Sequence, residues 1–513
     1  MQSLNNISPM RILHWVGLAC LFMLGGTAAN ALTLTFTNNT SLADSEVYIF
    51  FQDPITATFV GSGNTVELQK SYSLATIGAG IDVTTFMGGR VFTSLGAPFP
   101  VNTNPPQFIN APSGPGLEGN NSFNNRHQLI GEITTGSVAN LSNIDWVSQP
   151  AAMVTYDSGN NQIDRIGYAN GYNSATLGSK LSALTGGDAR FNSIANLAGN
   201  APTYYSQTGN GTTATQSPAA GSPVRIIGGS QTAYLIGQGL NSYPSFDGYI
   251  NSIMANNPSA SAANPIARLS GQFFLDGTTY SAKVTSIEAP TVGDPSYSLG
   301  QVTIEGTTSA GNDYTIVIPF ESLTNATIYG GTTGSPTNPD PTNETGIGYK
   351  LSVNGGSFVD TDGGANTVYT LAVRDFMAGL NYGFIDSAEI NPNDPAAGTT
   401  YKDSESAYWG TTNLLTGATN PETPLFFEEL QPGDPFYNAW AKVIFDESGG
   451  TVYGFAYDDT FNKVQIGVGT GVERLDIVLF DDVFTAIPEP RTYALIVALA
   501  VFAAVGIRRR MAK

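Results

Sequence analysis

The sequence predicts a mainly β protein, and three observations predict it. Short runs alternate apolar and polar residues, as in Leu32-Thr33-Leu34-Thr35-Phe36-Thr37, which is the period-two pattern of a half-buried strand. Clusters of Gly, Asn, Pro and Ser break these runs at short intervals, as turns between strands do. Charged residues make up only 12% of the chain, against about 25% in ordinary globular proteins, while Phe and Tyr number 27 and 23. Solubility therefore rests on neutral polar side chains, and the aromatic content excludes a disordered chain. At 513 residues the chain is long enough for two or three domains.

Taken in order, the chain opens on Arg11 and the apolar run Ile12 to Leu24. Ala29-Asn30-Ala31 then supplies an A-x-A cleavage site, so residues 1–31 read as a signal peptide and the mature chain begins at Leu32. Leu32 to Thr37 is the first strand, ended by Asn38-Asn39-Thr40. Glu46 to Phe51 and Gly89 to Leu95 are further strands, and 98–122 is a Pro/Asn/Ser/Gly loop. Ala175 to Leu197 has helical spacing interrupted by Gly186-Gly187, and 198–222 is a low-complexity linker. Val224 to Ile227 is a short strand. Ser245 is a candidate cap for a helix that places Phe246, Tyr249, Ile250 and Ile253 on one face. Strands return over 268–320, including Gln272 to Leu275, Tyr280 to Val284 and Tyr314 to Ile318. Val368 to Ala378 fits a short helix or a strand, and Asp434 to Ile444 fits a helix. Tyr453 to Asp459 and Leu475 to Phe480 read as the last strands.

The charge is concentrated in the body. Residues 32–490 carry 15 basic and 41 acidic side chains, a net charge of −26. Such a body repels nucleic acid and anionic membranes but leaves a neutral polymer free to bind. The single cysteine, Cys20, lies in the leader, so the body has no disulfide and no cysteine nucleophile. The only histidines are His14 and His127, which excludes a Cys/His zinc site and leaves His127 as the one possible triad histidine. No cofactor or metal is expected. Asp458-Asp459 and Asp481-Asp482 read as solvated loop pairs, with calcium ligation as the alternative.

The stretch that carries chemistry is Gly131 to Pro150. Ile130-Gly131-Glu132-Ile133 and Asn143-Ile144-Asp145-Trp146-Val147 each hold one carboxylate between apolar residues, joined by a link of small residues, Thr134 to Ser142. Read as a paired hairpin, the two runs bring Glu132 and Asp145 to one sheet face. Two carboxylates across a groove are the minimum equipment for glycoside hydrolysis. Trp146, alternating with Asp145, is expected to face the core.

Several stretches, in order, resemble the thaumatin-like β-1,3-glucanases of glycoside hydrolase family 64. They are LTLTFTNNTS, GGRVFTSLGAPF, Gly131 to Pro150, PSFDGYINSIM and NAWAKVIFDESGGTVYGFAYDDTFNK. The resemblance implies a thaumatin-like β-sandwich or barrel domain with an inserted mixed α/β domain forming a cleft for a β-1,3-glucan. By position Glu132 matches the general acid and Asp145 the general base of an inverting hydrolase. Asp247 and Tyr249 match the cleft edge, and Arg225 joins them in the expected substrate-binding set. The chain departs from the family pattern at Gln128-Leu129-Ile130-Gly131 and at Val147.

The tail, too, carries a resemblance. Ile487-Pro488-Glu489-Pro490, an apolar run from Tyr493 to Ile507 and Arg508-Arg509-Arg510 are similar to the PEP-CTERM sorting signal. The apolar run of about 15 residues is shorter than a standard membrane span. The resemblance implies export to a Gram-negative cell envelope or extracellular matrix, transient membrane anchoring and processing by an exosortase. The expected organisation is a signal peptide over 1–31, a first β part over 32–160, an inserted α/β domain over 161–425, a return to the β domain over 426–485, and a sorting signal over 486–513. The expected function is an exported polysaccharide hydrolase acting on a β-glucan. The alternative is a non-catalytic polysaccharide-binding surface or biofilm-matrix protein on the same fold.

Overall fold

The computed structural model describes residues 31–67, 70–96, 98, 128–144, 146–187, 192–194, 223–229, 243, 246–273, 275–288, 301–319, 328–329, 348–361, 367–420 and 437–484. The leader with Cys20, His127, Asp145, Ser245 and the sorting tail lie outside these residues.

The strands in chain order begin with β1 (Leu32–Asn39), β2 (Val47–Phe51), β3 (Ile55–Phe59), β4 (Ser71–Ser73), β5 (Ile81–Phe86), β6 (Gly89–Leu95) and β7 (Gln128–Ile133). Next come β8 (Val138–Ser142), β9 (Trp146–Val147), β10 (Ala151–Tyr156), β11 (Gln162–Gly167), β12 (Asn192–Ile194) and β13 (Pro223–Ile227). A run of hairpins follows: β14 (Ala267–Gln272), β15 (Thr279–Glu288), β16 (Gln301–Thr308), β17 (Asp313–Pro319), β18 (Tyr349–Val353) and β19 (Val359–Thr361). The last are β20 (Gln465–Gly467) and β21 (Arg474–Phe480). The α-helices are α1 (Leu74–Ile77), α2 (Ser174–Ala183), α3 (Asp247–Asn256), α4 (Val368–Tyr382) and α5 (Ala439–Ser448). The protein is mainly β, as the alternation predicts.

Two six-stranded sheets are built from both ends of the described chain. The first has the order β11-β10-β21-β1-β5-β3, and the second β20-β8-β7-β6-β2-β4. β1 lies parallel to β21 with Leu34 opposite Leu475, so the first sheet is closed by the most distant strands in sequence. The alternation in β1 sends Leu32 and Leu34 inward. Thr35 and Thr37 point the other way and donate to the two carboxylate oxygens of Asp476 at 3.0 and 2.7 Å. That satisfies a charge on a nearly buried strand. The sheets pack together where β10 meets β7: a Cβ on Gly131 would stand 2.9 Å from Met153 Cε. Gln149 ties them again, accepting from Thr93 Oγ1 and donating to Phe480 O.

The rest of the chain adds a three-stranded sheet, β12-β13-β9, and a sequential six-stranded antiparallel meander, β14 to β19. α4 covers one face of the meander and is its main packing partner. Thr367 caps it, Gly383 ends it in the left-handed region at φ 84°, and its side chains from Asp375 to Tyr382 are all buried. Among the described residues no helix is long and apolar enough to cross a membrane.

Several expectations are corrected. The hairpin partner of β7 is β8, inside the stretch Thr134 to Ser142 read as a link of small residues: Gly136 at φ 77° makes the turn, and Ala139 and Leu141 alternate inward. The second run, Trp146-Val147, pairs instead with Ile227 and Ile226 in the small sheet. Tyr453 to Asp459 is a series of bends leading into a 3-10 turn at Asp458–Thr460, not a strand. The strand expected at Gln272 to Leu275 ends at Gln272. The helix after Ala175 stops at Ala183 because Gly186 and Gly187 take left-handed conformations. α3 begins after Phe246, which makes no side-chain cap.

Candidate functional site

The site is a row of polar side chains laid across the second sheet by strand register. Arg90 on β6 stands opposite Glu132 on β7, Glu132 opposite Asn140 on β8, and Asn140 opposite Gln465 on β20. Directly opposed residues share a sheet face, so the four form one ladder. Their neighbours Val91, Gly131 and Leu141 point the other way, into the packing against the first sheet.

Within the row, Arg90 Nε donates to Glu132 Oε1 at 3.1 Å, and Asn140 Nδ2 donates to Glu132 Oε2 at 3.4 Å. The Glu132 side chain is 17% exposed and that of Arg90 31%. The ion pair is therefore set into the surface yet open to a ligand. Gln465 extends the row, donating to Tyr453 Oη at 2.7 Å and to Asp459 Oδ2 at 3.3 Å.

Segment 453–462 is held at the end of β8 by its own backbone. Tyr453 N donates to Leu141 O, and Asn143 N donates to Tyr453 O. Asp458 anchors the segment from beneath. It is buried and accepts from the Tyr382 hydroxyl, from Gly454 N at 2.8 Å and from Asn462 Nδ2 at 2.9 Å. Burial pushes the Asp458 carboxyl up to about 6, with the hydrogen bonds opposing and Asp459 adding to the rise. The expected solvated loop pair is thus one interior anchor and one half-buried acid. Asp459 is raised as well, by burial, while the Arg374 guanidinium and Tyr453 hold it down. Arg374, on α4, lies 5.8 Å from the Tyr457 ring centroid. The meander's covering helix thereby meets the sandwich row.

At the other end of the row stands Asp53, which follows β2 and is 8% exposed. Its Oδ2 accepts from Arg90 N at 2.9 Å. Burial raises its carboxyl, Arg90 opposes the rise, and Glu132 adds to it. Sequence reasoning found Glu132 but missed Asp53, Arg90, Asn140, Gln465 and Arg374 as its company. The one available signal for Arg90 was its place in the GGRVFTSLGAPF stretch that carries the resemblance.

Of the other expected site residues, Asp145 lies outside the described residues. Its neighbour Trp146 is buried beneath Arg225, whose guanidinium sits 4.9 Å from the ring centroid. Arg225 is itself fully buried, so it is an interior cation and not a surface for sugar. Tyr249 is 2% exposed and donates its hydroxyl to Ile385 O at 2.6 Å, which makes it a core element of α3. Asp247 is exposed in the first turn of α3, where a carboxylate complements the helix dipole. None of the three belongs to the Glu132 row. Among the described residues no group of three or more His, Cys, Asp or Glu side chains stands close enough to hold a metal ion.

Carboxylates and carboxamides in one row offer acceptors and donors to a neutral, hydroxyl-rich chain. No protein-family profile matches the sequence, and no curated protein matches it. Solved structures give weak likenesses. A β-1,3-glucanase domain of glycoside hydrolase family 64 from Clostridium beijerinckii aligns over 88% of this chain and 98% of its own, at 14% identity and a TM-score of 0.46. The family 64 laminaripentaose-producing β-1,3-glucanase from Paenibacillus barengoltzii, complexed with laminarihexaose, aligns over 90% of this chain and 79% of its own, at 12% identity and 0.41. Another structure of that enzyme gives the same coverage and identity with a TM-score of 0.40. At TM-scores below 0.5 these likenesses transfer no residue roles.

Proposed function

We propose that the protein is an exported polysaccharide hydrolase acting on a β-1,3-glucan, with Glu132 at the centre of its site. The observation that carries this reading is the Arg90–Glu132–Asn140–Gln465 row, reached from the sequence by the resemblance at Gly131 to Pro150. In the inverting reading Glu132 donates a proton to the glycosidic oxygen and Asp145 activates water on the opposite sugar face. Arg90 occupies Oε1, so the proton belongs on Oε2, where Asn140 is the looser partner. The leader and the tail supply the route out of the cell, through a signal peptide and an exosortase-processed sorting segment.

The Arg90–Glu132 ion pair favours one competing reading, a polysaccharide-binding matrix protein in which Glu132 only accepts hydrogen bonds from sugar hydroxyls. Laminarin digestion separates the two. Release of reducing ends by the parent protein, lost in Glu132→Gln and in Asp145→Asn, is the expected result. Laminarin binding without reducing-end release assigns the second reading.

A further inference from the structure

We propose that Gln52 is a further ligand-binding residue of this site, which takes a sugar hydroxyl together with Arg90 and lays the glycan chain across the strands of the second sheet. The inference rests on the polysaccharide reading for the class of its ligand.

Register brings Gln52 to the row. β2 pairs with β6 from Val47 opposite Leu95 to Phe51 opposite Val91. One step further, Gln52 N donates to Arg90 O at 3.1 Å, which sets Gln52 opposite Arg90. Ile49 and Phe51 point into the main core. Gln52 therefore projects from the other face, the one that carries Arg90 and Glu132. The row becomes Gln52–Arg90–Glu132–Asn140–Gln465, on the neighbouring strands β2, β6, β7, β8 and β20. At about 4.8 Å between strands it is about 19 Å long.

The unpaired hydrogen-bonding groups of this row point to the ligand. Gln52 is 5% exposed. Its Oε1 is buried and meets no donor among the described residues, and the same holds for Asn140 Oδ1. The two acceptors stand on either side of the Arg90–Glu132 pair. An enclosed amide oxygen without a donor is less favourable than an apolar side chain in the same place. Phe50, two residues earlier on the same face and 3% exposed, shows that an apolar side chain fits this flank. Packing therefore does not account for Gln52. Arg90 gives only its Nε–H to a described side chain, that of Glu132, and the terminal N–H groups of its partly exposed guanidinium remain as donors. A donor and an acceptor on directly opposed residues suit one hydroxyl, which accepts from Arg90 and donates to Gln52 Oε1. Asn140 offers a second acceptor three strand spacings, about 14 Å, along the same line. Acceptors in a line across the strands fit a chain with many hydroxyls; a phosphate or carboxylate has no proton to give them.

The test is affinity electrophoresis of the whole protein in gels carrying laminarin, a soluble cellulose ether or xylan, beside thermal unfolding. Gln52→Leu removes both ends of the amide at nearly constant volume. It is expected to keep or raise the thermal midpoint and to weaken laminarin binding about tenfold. Gln52→Met, as long as Gln and without its donor and acceptor, is expected to do the same should the branched side chain not fit. Unchanged binding in a folded variant overturns the inference, whatever its midpoint. If neither variant folds, the fold itself needs the amide, and the inference is overturned as well. A parent that binds only xylan or the cellulose ether, with the same loss in the variants, keeps the role of Gln52 and overturns the β-1,3-glucan reading. A parent that binds none of the three overturns both.

Discussion

Tyr280 on β15 donates its hydroxyl to Asp375 Oδ2 on α4 at 2.5 Å, and Ser406 donates to the same oxygen at 2.5 Å. Ser406 Oγ in turn accepts from Ser270 N on β14. One buried carboxyl thus pins a helix, two strands and the 406–408 turn together. Asp458 pins α4 two turns further along, through Tyr382. The helix that covers the meander is fastened to it by Asp375 and to the site segment by Asp458.

These acids fix a pH dependence. Burial, the largest cause in each, raises Asp375 from 3.8 to about 7 and Asp458 from 3.8 to about 6. The folded state therefore binds these protons more tightly than the unfolded chain. Their contribution is complete below about pH 4 and is lost as pH rises through about 6 to 7. Thermal midpoints measured between about pH 4 and pH 8 are expected to fall toward the alkaline side. Asp375→Asn, which cannot ionise, is expected to flatten the slope. A parent midpoint that rises steadily over this window contradicts the assignment.

Two glycines distinguish a soft contact between the two sheets from a hard one within the first sheet. A Cβ on Gly131 meets the far end of Met153, 2.9 Å away, and a methionine tip can swing aside. At Gly167 the backbone has φ 95° and a Cβ falls 2.4 Å from Ala151 O, which cannot move without breaking the sheet. Gly131→Ala is expected to cost about 1 kcal/mol and Gly167→Ala about 3 kcal/mol or more in denaturant unfolding. Equal costs would mean that β10 and β11 are more pliable than their pairing implies.

What was legible in the sequence was local. Alternation gave β1, β2 and β21, and the apolar flanks of Glu132 gave β7. β8 was hidden because Val138 to Ser142 is built of small residues whose pattern is carried only by Ala139 and Leu141. Tyr453 to Asp459 looked like a strand from its aromatic content. Gly454 instead presses on α5, where a Cβ would lie 2.8 Å from Ala441 Cα, and the chain bends around that contact. The site row was out of reach for another reason. Arg90, Asn140 and Gln465 become neighbours of Glu132 only through register, a long-range property that no local pattern encodes. Tyr249 was assigned by the resemblance at PSFDGYINSIM, with Arg225 joined to it, and both side chains are buried, at 2% and 0% exposure.

Tyr249 and Asn140 make a paired test of that last distinction. Tyr249→Phe keeps the ring in the core and removes one hydrogen bond to Ile385 O. It is expected to cost about 1 kcal/mol of stability and to leave laminarin affinity unchanged. Asn140→Ala removes a side chain that faces the ligand surface and touches Glu132 Oε2. It is expected to change stability little and to raise the laminarin Kd by about tenfold, equivalent to about 1.4 kcal/mol. Calorimetric titration beside denaturant unfolding reads both quantities on each variant. If Tyr249→Phe weakens binding while Asn140→Ala does not, the ligand lies along α3 and the row on the second sheet is not the site.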